Sequence, residues 1–231
     1  MNRLLTWAAT GWIALAGAAA ADGPVVVELY TSQGCSSCPP ADHLIGQISD
    51  RDDVIALALH VDYWDYIGWK DEFADPSHTT RQRTYSRLAG KRTIYTPQMV
   101  DGGVDHIVGT KAMKLADLLN AHKAKPDPVD VTLRREGDRV RISAVADQAL
   151  PKGATIQLVS YTPEATVSIR RGENAGRKLD YHNVVRQWIV VGDWDGTGTY
   201  SATVRVPRNT PVAVLVQTGG QGPMLGAAKL R

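Results

Sequence analysis

Residues 24–48 of the chain read PVVVELYTSQGCSSCPPADHLIGQI. The β-branched and aromatic run at 24–31 is typical of a strand that is buried on both faces. Further on, Leu44, Ile45 and Ile48 recur at helical spacing. The two prolines before them are tolerated in the first turn of a helix. The pattern predicts a strand, then a Cys-x-x-Cys pair, then a helix that begins beside that pair.

The chain has two cysteines, Cys35 and Cys38. A bridge between them closes a very short loop and constrains the unfolded chain little, so we expect the pair to serve chemistry. A helix N-terminus stabilises a thiolate, which predicts Cys35 as the nucleophile and Cys38 as the residue that resolves the mixed disulfide. Haem attachment is excluded because Pro39 stands where a histidine is required, and a four-cysteine zinc site lacks a second pair.

The residues that follow continue the alternation of predicted strands and helices. Residues 54–61 form a second apolar run, which completes a β-α-β unit. Residues 75–88 read as a helix with Asp75 as its N-cap. The turn at 101–103 predicts a hairpin, and residues 110–122 read as a last helix.

Thr96-Pro97 stands just before the predicted hairpin. In a thioredoxin fold this place is commonly an X-Pro bond in cis, which costs only about 0.5 to 1 kcal/mol. The element order therefore predicts a thioredoxin-like α/β domain over residues 22–124. In that fold Pro97 shapes the groove beside the cysteines, and Thr96 presents its backbone to a substrate.

The pattern changes after a proline-containing linker at 123–128. Residues 129–231 carry eight short strand-like runs separated by turn residues, which predicts an all-β sandwich domain. These runs are 131–135, 139–146, 155–161, 166–171, 184–191, 200–206, 212–217 and 225–230.

The first 21 residues have the layout of a secretory signal peptide: Arg3, an apolar stretch, then small residues ending before Asp22. The alternative is a retained membrane anchor, although the apolar run is shorter than the ~20 residues that span a bilayer. We therefore expect a periplasmic or secreted protein with no stable membrane insertion after cleavage. Such a compartment allows disulfides to form and persist.

The overall composition excludes several classes of protein. With 231 residues, of which 43% are hydrophobic, the chain is long enough for one or two globular domains and is not typical of a disordered protein. A net charge of +2 gives no broad positive field, so nucleic acid is not expected as a partner.

Two further segments are candidates for substrate contact. Residues 60–66 are rich in aromatic and acidic side chains; they form either one wall of a substrate groove, with Trp64 and Trp69 as apolar platforms, or ordinary core packing. We expect Trp64, Thr96, Ser36 and Ser37 to contact the substrate. The loop at 171–177 either touches the N-terminal half or a partner, or pairs its own Glu and Arg across a turn.

Five motifs together resemble one known family. They are VELYTSQGCSSCPPAD at 27–42, HVDYWDYIGWKD at 60–71, YTPQMVDG at 95–102, RGENAGR at 171–177 and YHNVVR at 181–186. The chain is similar to the bacterial secreted thioredoxin-like family catalogued as domain of unknown function 1223. The resemblance implies a thioredoxin-like N-terminal domain and a β-sandwich C-terminal domain, and it implies no known substrate. Likeness to thioredoxin itself is confined to Cys35, Cys38 and Pro97.

The leading hypothesis is an exported thiol-disulfide oxidoreductase, with Cys35, Cys38 and Pro97 as its catalytic residues. Its partner would be a protein or a small thiol or disulfide, and it would need no cofactor and no metal. A second hypothesis is a copper-binding or copper-delivery protein that uses the same cysteines with His60 or Asp62. A third is a non-catalytic interaction module. The sequence does not predict the oligomeric state.

Overall fold

The computed structural model describes residues 23–231; the predicted signal peptide and its cleavage site lie outside the described residues. Three α-helices and eleven strands make up the described part, together with a short 3-10 helix at Asp65–Ile67. The helices are α1 (Pro39–Ser49), α2 (Pro76–Leu88) and α3 (Ala112–Lys123). Among residues 23–231, no helix is long and apolar enough to cross a membrane.

The strands divide unevenly between the two halves of the chain. The first half contains β1 (Val25–Thr31), β2 (Val54–His60), β3 (Gln98–Asp101) and β4 (Asp105–Val108). The second half contains β5 (Val129–Glu136), β6 (Arg139–Ala146), β7 (Ala154–Ser168), β8 (Lys178–Trp194), β9 (Thr199–Arg205), β10 (Val212–Thr218) and β11 (Met224–Leu230).

Local sequence signals account for the elements of the first half. All seven residues of β1 are buried, as are all seven of β2, in agreement with their continuous apolar character. Helix α1 begins with two prolines in its first turn. Helix α2 has Asp75 as its N-cap, and the carboxylate of Asp75 accepts a hydrogen bond from the backbone N–H of Ser77 at 2.7 Å. Gly102 and Gly103, both with positive φ, form the turn between β3 and β4.

Eight of the strands form one mixed sheet that runs through both halves of the chain. Its order is β11-β10-β7-β8-β2-β1-β3-β4. Strands β1 and β2 are parallel over their whole length, and β8 joins β2 in parallel with Ala58 opposite Val184. The remaining strands, β5, β6 and β9, form a separate antiparallel sheet.

The prediction of a thioredoxin-like α/β domain followed by an all-β sandwich domain is therefore wrong. The free edge of β2, which would bound a separate domain, is covered by β8, so no separate α/β domain is evident. The runs at 155–161 and 166–171, predicted as two strands, belong largely to the single long strand β7, and β8 extends the run at 184–191 in both directions. Long strands that change partners along their length leave no local signal in the sequence.

The hydrophobic core also contains residues from both halves of the chain. One buried cluster contains residues from both halves of the chain, among them Tyr30, Leu57, Val100, Val159, Val185 and Leu215. A second cluster lies between the sheet and helices α1 and α3. A third joins the three-stranded sheet to β7 and β10. The first cluster therefore packs residues of the two halves against one another.

A buried ion pair lies within this shared core. The guanidinium of Arg81 donates to both carboxylate oxygens of Glu28, at 2.7 and 2.8 Å. The hydroxyl groups of Tyr85 and Tyr30 also donate to Glu28, and Arg81 further donates to Gln217 on β10 at 3.0 Å. The pair thus connects β1, α2 and β10 through charge-assisted hydrogen bonds.

Replacing Arg81 by Leu will lower the free energy of unfolding by about 3 to 5 kcal/mol, because the buried Glu28 carboxylate loses its cationic partner. Urea unfolding followed by circular dichroism measures the loss. Arg83→Leu is the matched control, since Arg83 is exposed on the same helix and its replacement will change stability by no more than about 0.5 kcal/mol. Equal stability of the two variants would contradict the role given to the ion pair.

Candidate active site

The two cysteines form a disulfide at the start of α1. Their Cα atoms lie 5.4 Å apart, and Cys38 is the N-cap residue of the helix. Its carbonyl accepts hydrogen bonds from the backbone N–H groups of Ala41 and Asp42, at 2.8 and 3.1 Å. The predicted position of the Cys-x-x-Cys pair, between a buried strand and a helix N-terminus, is confirmed.

Both cysteines are buried, including Cys35, the predicted nucleophile. Cys35 is 2% exposed and Cys38 is fully buried. By contrast, Ser36 and Ser37, which lie between them, are exposed. Access to the disulfide is therefore controlled by the segments that cover Cys35.

One covering segment comes from the second half of the chain. Residues 169–177 connect β7 to β8 and are called the strap here. The side-chain amide of Asn174 is buried and donates to the carbonyl oxygens of Gln33 and Cys35, at 2.9 and 3.0 Å. The backbone N–H of Ser36 donates to the carboxylate of Glu173 at 3.4 Å. Of the two alternatives given for this loop, the structure shows contact with the N-terminal half.

Residues 60–69, called the aromatic segment here, lie beside Gly34, which directly precedes Cys35. A Cβ on Gly34 would lie 3.2 Å from the Cβ of Trp64 and 3.2 Å from the Cδ1 of Ile67. A Cβ on Gly172, in the strap, would lie 3.3 Å from the Cβ of Trp69. Glycine at both positions therefore allows close approach, and the aromatic segment lies against both Gly34 and the strap.

Thr96 lies beside Trp64 of the aromatic segment, and Pro97 lies beside α1. The Thr96-Pro97 peptide bond is cis. The indole N–H of Trp64 donates to the hydroxyl of Thr96 at 2.7 Å, so these two predicted substrate-contacting residues are neighbours. Pro97 lies close to the first turn of α1, since a Cβ on Gly109 would be 3.0 Å from the Cβ atoms of both Pro97 and Ala41.

The residues considered for copper have other partners. The Nδ1 atom of His60 lies 2.7 Å from the carboxylate of Asp71, and both side chains are fully buried. Asp62 accepts a hydrogen bond from the hydroxyl of Thr79 at 2.5 Å. Within residues 23–231, no group of three or more His, Cys, Asp and Glu side chains is arranged to hold a metal ion. The geometry gives no support to a copper site at Cys35 and Cys38.

A buried polar cluster near α1 was missed by the sequence analysis. Its members are Thr31, Asp42, His60, Asp71 and Tyr181. The hydroxyl of Thr31 donates to Asp42 at 2.7 Å, and the rings of His60 and Tyr181 are 4.9 Å apart between centroids. The only signal available in the sequence was the spacing of Asp42, which follows Cys38 by four residues on a predicted helix.

Burial and hydrogen bonding shift the pKa values of the two carboxyl groups in this cluster, Asp42 and Asp71. It raises the pKa of Asp42 to about 7, against the opposing effects of His60 and of the hydrogen bond from Thr31. Burial also acts to raise the pKa of Asp71, but the adjacent imidazole of His60, together with the backbone N–H groups of Gln33 and Phe73 that donate to the carboxylate, outweighs burial and the pKa is lowered. One carboxyl of the cluster therefore titrates near neutral pH while the other stays ionised.

Comparison with known proteins places the chain in a family. The family described as protein of unknown function DUF1223 matches residues 26–217. None of the curated proteins matches the chain.

Two solved structures are similar over most of the chain. A crystal structure of a protein from Agrobacterium tumefaciens is 34% identical, with a TM-score of 0.76, and the match covers 90% of this chain and 94% of that one. HBP35 of Porphyromonas gingivalis is 14% identical, with a TM-score of 0.63, covering 90% of this chain and 75% of that one; this is a likeness of fold alone. On the family match and the 34% identity, the chain belongs to the family of unknown function DUF1223.

Proposed function

We propose that this protein is an exported thiol-disulfide oxidoreductase in which Cys35 and Cys38 alternate between a disulfide and a dithiol. The observation that carries the proposal is the Cys35–Cys38 disulfide at the N-terminus of the 11-residue helix α1. A bridge over a sequence separation of three constrains the unfolded chain little. The partial positive charge of the helix N-terminus stabilises a thiolate on Cys35.

The exchange takes place in two steps. A thiolate from a reduced partner attacks the sulfur of Cys35, the Cys35–Cys38 bond breaks, and Cys38 leaves as a thiolate. A second thiolate of the partner then attacks its own sulfur in the mixed disulfide and releases Cys35, so the partner is oxidised and the cysteines are reduced. The same two steps in reverse oxidise the cysteines. The two electrons reside in the sulfur atoms, so the cycle needs no cofactor.

The strap and the aromatic segment decide which molecules reach Cys35. Because Cys35 is only 2% exposed, a partner thiol reaches its sulfur only when the covering residues move. Asn174 holds the strap closed through two hydrogen bonds. When it moves, the carbonyls of Gln33 and Cys35 become free to pair with a substrate. Ser36, Ser37, Thr96 and Trp64 would then contact that substrate.

Export is part of the proposal. The layout of residues 1–21 supports secretion to the periplasm or the medium. In such a compartment a thiol-disulfide exchanger meets secreted proteins and small thiols or disulfides, which are the expected partners.

Replacing either cysteine by serine will separate the role of Cys35, which forms the mixed disulfide, from the role of Cys38, which resolves it. Cys38→Ser will form a mixed disulfide with glutathione disulfide at Cys35 and keep it, because no second thiol can resolve it. Cys35→Ser will react with glutathione disulfide much more slowly, because Cys38 is fully buried. Mass spectrometry of the intact protein detects the adduct of each variant, and the double variant Cys35→Ser/Cys38→Ser gives the background. Full exchange activity in both single variants would overturn the assignment.

Replacing Asn174 by Ala will make the disulfide easier to reduce. The variant loses the two hydrogen bonds that join the strap to the first half, each contributing about 0.5 to 1.5 kcal/mol, so the open form will become at least about fivefold more populated. The expected result is an increase of at least about fivefold in the rate constant for reduction by dithiothreitol. Arg171→Ala is the matched control, because Arg171 is exposed in the same strap. A folded Asn174→Ala variant that is reduced at the rate of the control would show that the strap does not limit access.

A further inference from the structure

The strap carries an excess of positive charge beside the disulfide. It contains three arginines and one acidic residue, all of them exposed: Arg170, Arg171, Arg177 and Glu173. Its net charge of +2 equals the net charge of the whole chain. The charges of the other residues therefore balance, and the excess is local to the segment that covers Cys35.

One of these arginines lies close to the disulfide. The guanidinium of Arg177 donates to Oδ1 of Asn174 at 2.9 Å, and Nδ2 of Asn174 donates to the carbonyl of Cys35 at 3.0 Å. Arg177 is thus two hydrogen bonds from Cys35. No salt bridge among residues 23–231 includes Arg177, so its charge has no carboxylate partner in the described part of the chain.

Arg177 belongs to the base of the strap and not to its tip. It directly precedes β8, and its carbonyl accepts a hydrogen bond from the backbone N–H of Ile169 at 2.9 Å. Ile169 is itself buried. When the tip at 172–175 moves away from Cys35, Arg177 therefore stays in place and loses its bond to Asn174.

A carboxylate already contacts the backbone beside Cys35. The N–H of Ser36, the next residue, donates to the carboxylate of Glu173 at 3.4 Å. Ser36 is exposed, so a partner can reach this N–H once Glu173 has left. The contact shows which kind of group the position receives, here supplied by the strap itself.

Movement of the strap tip leaves four groups around Cys35 without partners. Two are donors, the guanidinium of Arg177 and the N–H of Ser36. Two are acceptors, the carbonyls of Gln33 and Cys35. A carboxylate makes the strongest hydrogen bonds to a guanidinium, and the backbone N–H groups of a peptide pair with carbonyls. A small anionic thiol would satisfy the donors only, whereas a polypeptide satisfies all four groups.

We infer that the exchange partner is a polypeptide with an acidic side chain next to its reactive cysteine, and that Arg177 and the N–H of Ser36 select it. The inference rests on the proposed function and adds the chemical class of the partner. The partner's carboxylate replaces Glu173 and pairs with Arg177, while its cysteine thiolate attacks the sulfur of Cys35 and Cys38 leaves. The positive charge of the strap also raises the rate at which acidic segments arrive.

The test uses three synthetic peptide dithiols that differ only in having Glu, Gln or Lys beside the first cysteine. The rate constant for reduction of the oxidised protein is measured by acid quench and thiol trapping. It is divided by the rate constant of the same peptide with hydroxyethyl disulfide, which removes the effect of the neighbouring charge on the thiol itself. At low salt the Glu peptide will exceed the Gln peptide about fivefold, and the Lys peptide will be the slowest. Added salt will reduce these differences.

Arg177→Gln locates the preference. In this variant the advantage of Glu over Gln will fall below about twofold. Easier opening of the strap does not affect this ratio, because it acts on every peptide alike. Arg171→Gln is the matched control: it removes the same charge from an exposed position near the other end of the strap, and it will keep an advantage of at least about threefold.

Equal normalised rates for the Glu and Gln peptides with the parent protein would overturn the inference, and this outcome depends on no variant. A preference that survives in Arg177→Gln would overturn the role of Arg177. Dimercaptosuccinate carries carboxylates but no peptide group. A normalised rate for it as high as that of the Glu peptide would assign the site to small anionic thiols and overturn the polypeptide. Failure of every dithiol to reduce the protein would overturn the proposed function instead.

Discussion

The parallel pairing of β2 with β8 is the constraint on which the rest of the structure depends. It places Val184 opposite Ala58, and the side chain of Asn183, with φ 48°, donates to the carbonyl of Ala56 at 2.9 Å. The pairing brings the beginning of β8 against α1. The strap, which ends where β8 begins, is thereby held over Cys35, and Tyr181 is held in the polar cluster beside Asp42.

The two halves of the chain therefore build the site together. The first half supplies the disulfide, the helix N-terminus and the aromatic segment. The second half supplies Asn174, which covers the reactive pair, and β8, which lines a cavity beside Asp42. Under the proposed function, this division gives the C-terminal half a role in exchange, because its strap limits access to Cys35. Only partners that can move the strap would then react.

Local elements of the fold could be predicted from the sequence, and long-range pairing could not. The continuous apolar run of β1, the prolines before α1 and the Asp75 N-cap are signals within a few residues of one another. They correctly predicted where those elements begin. The pairing of β2 with β8 joins residues more than 120 positions apart and leaves no local pattern. The residues of the site divide in the same way. The cysteines could be predicted from their spacing, whereas the positions of Asn174 and Tyr181 beside the first half depend on the pairing of β2 with β8.

The most direct test of the central claim is equilibration of the Cys35–Cys38 pair with glutathione redox buffers, with the fraction of disulfide measured by thiol trapping. The account predicts a reversible transition between dithiol and disulfide with a single reduction potential, in which Cys35 is the first thiol to be alkylated. About 30 mV corresponds to 1.4 kcal/mol for this two-electron couple, so the midpoint also shows whether the protein donates or removes disulfides. A pair that stays oxidised at every buffer ratio and reacts with no thiol would contradict the account.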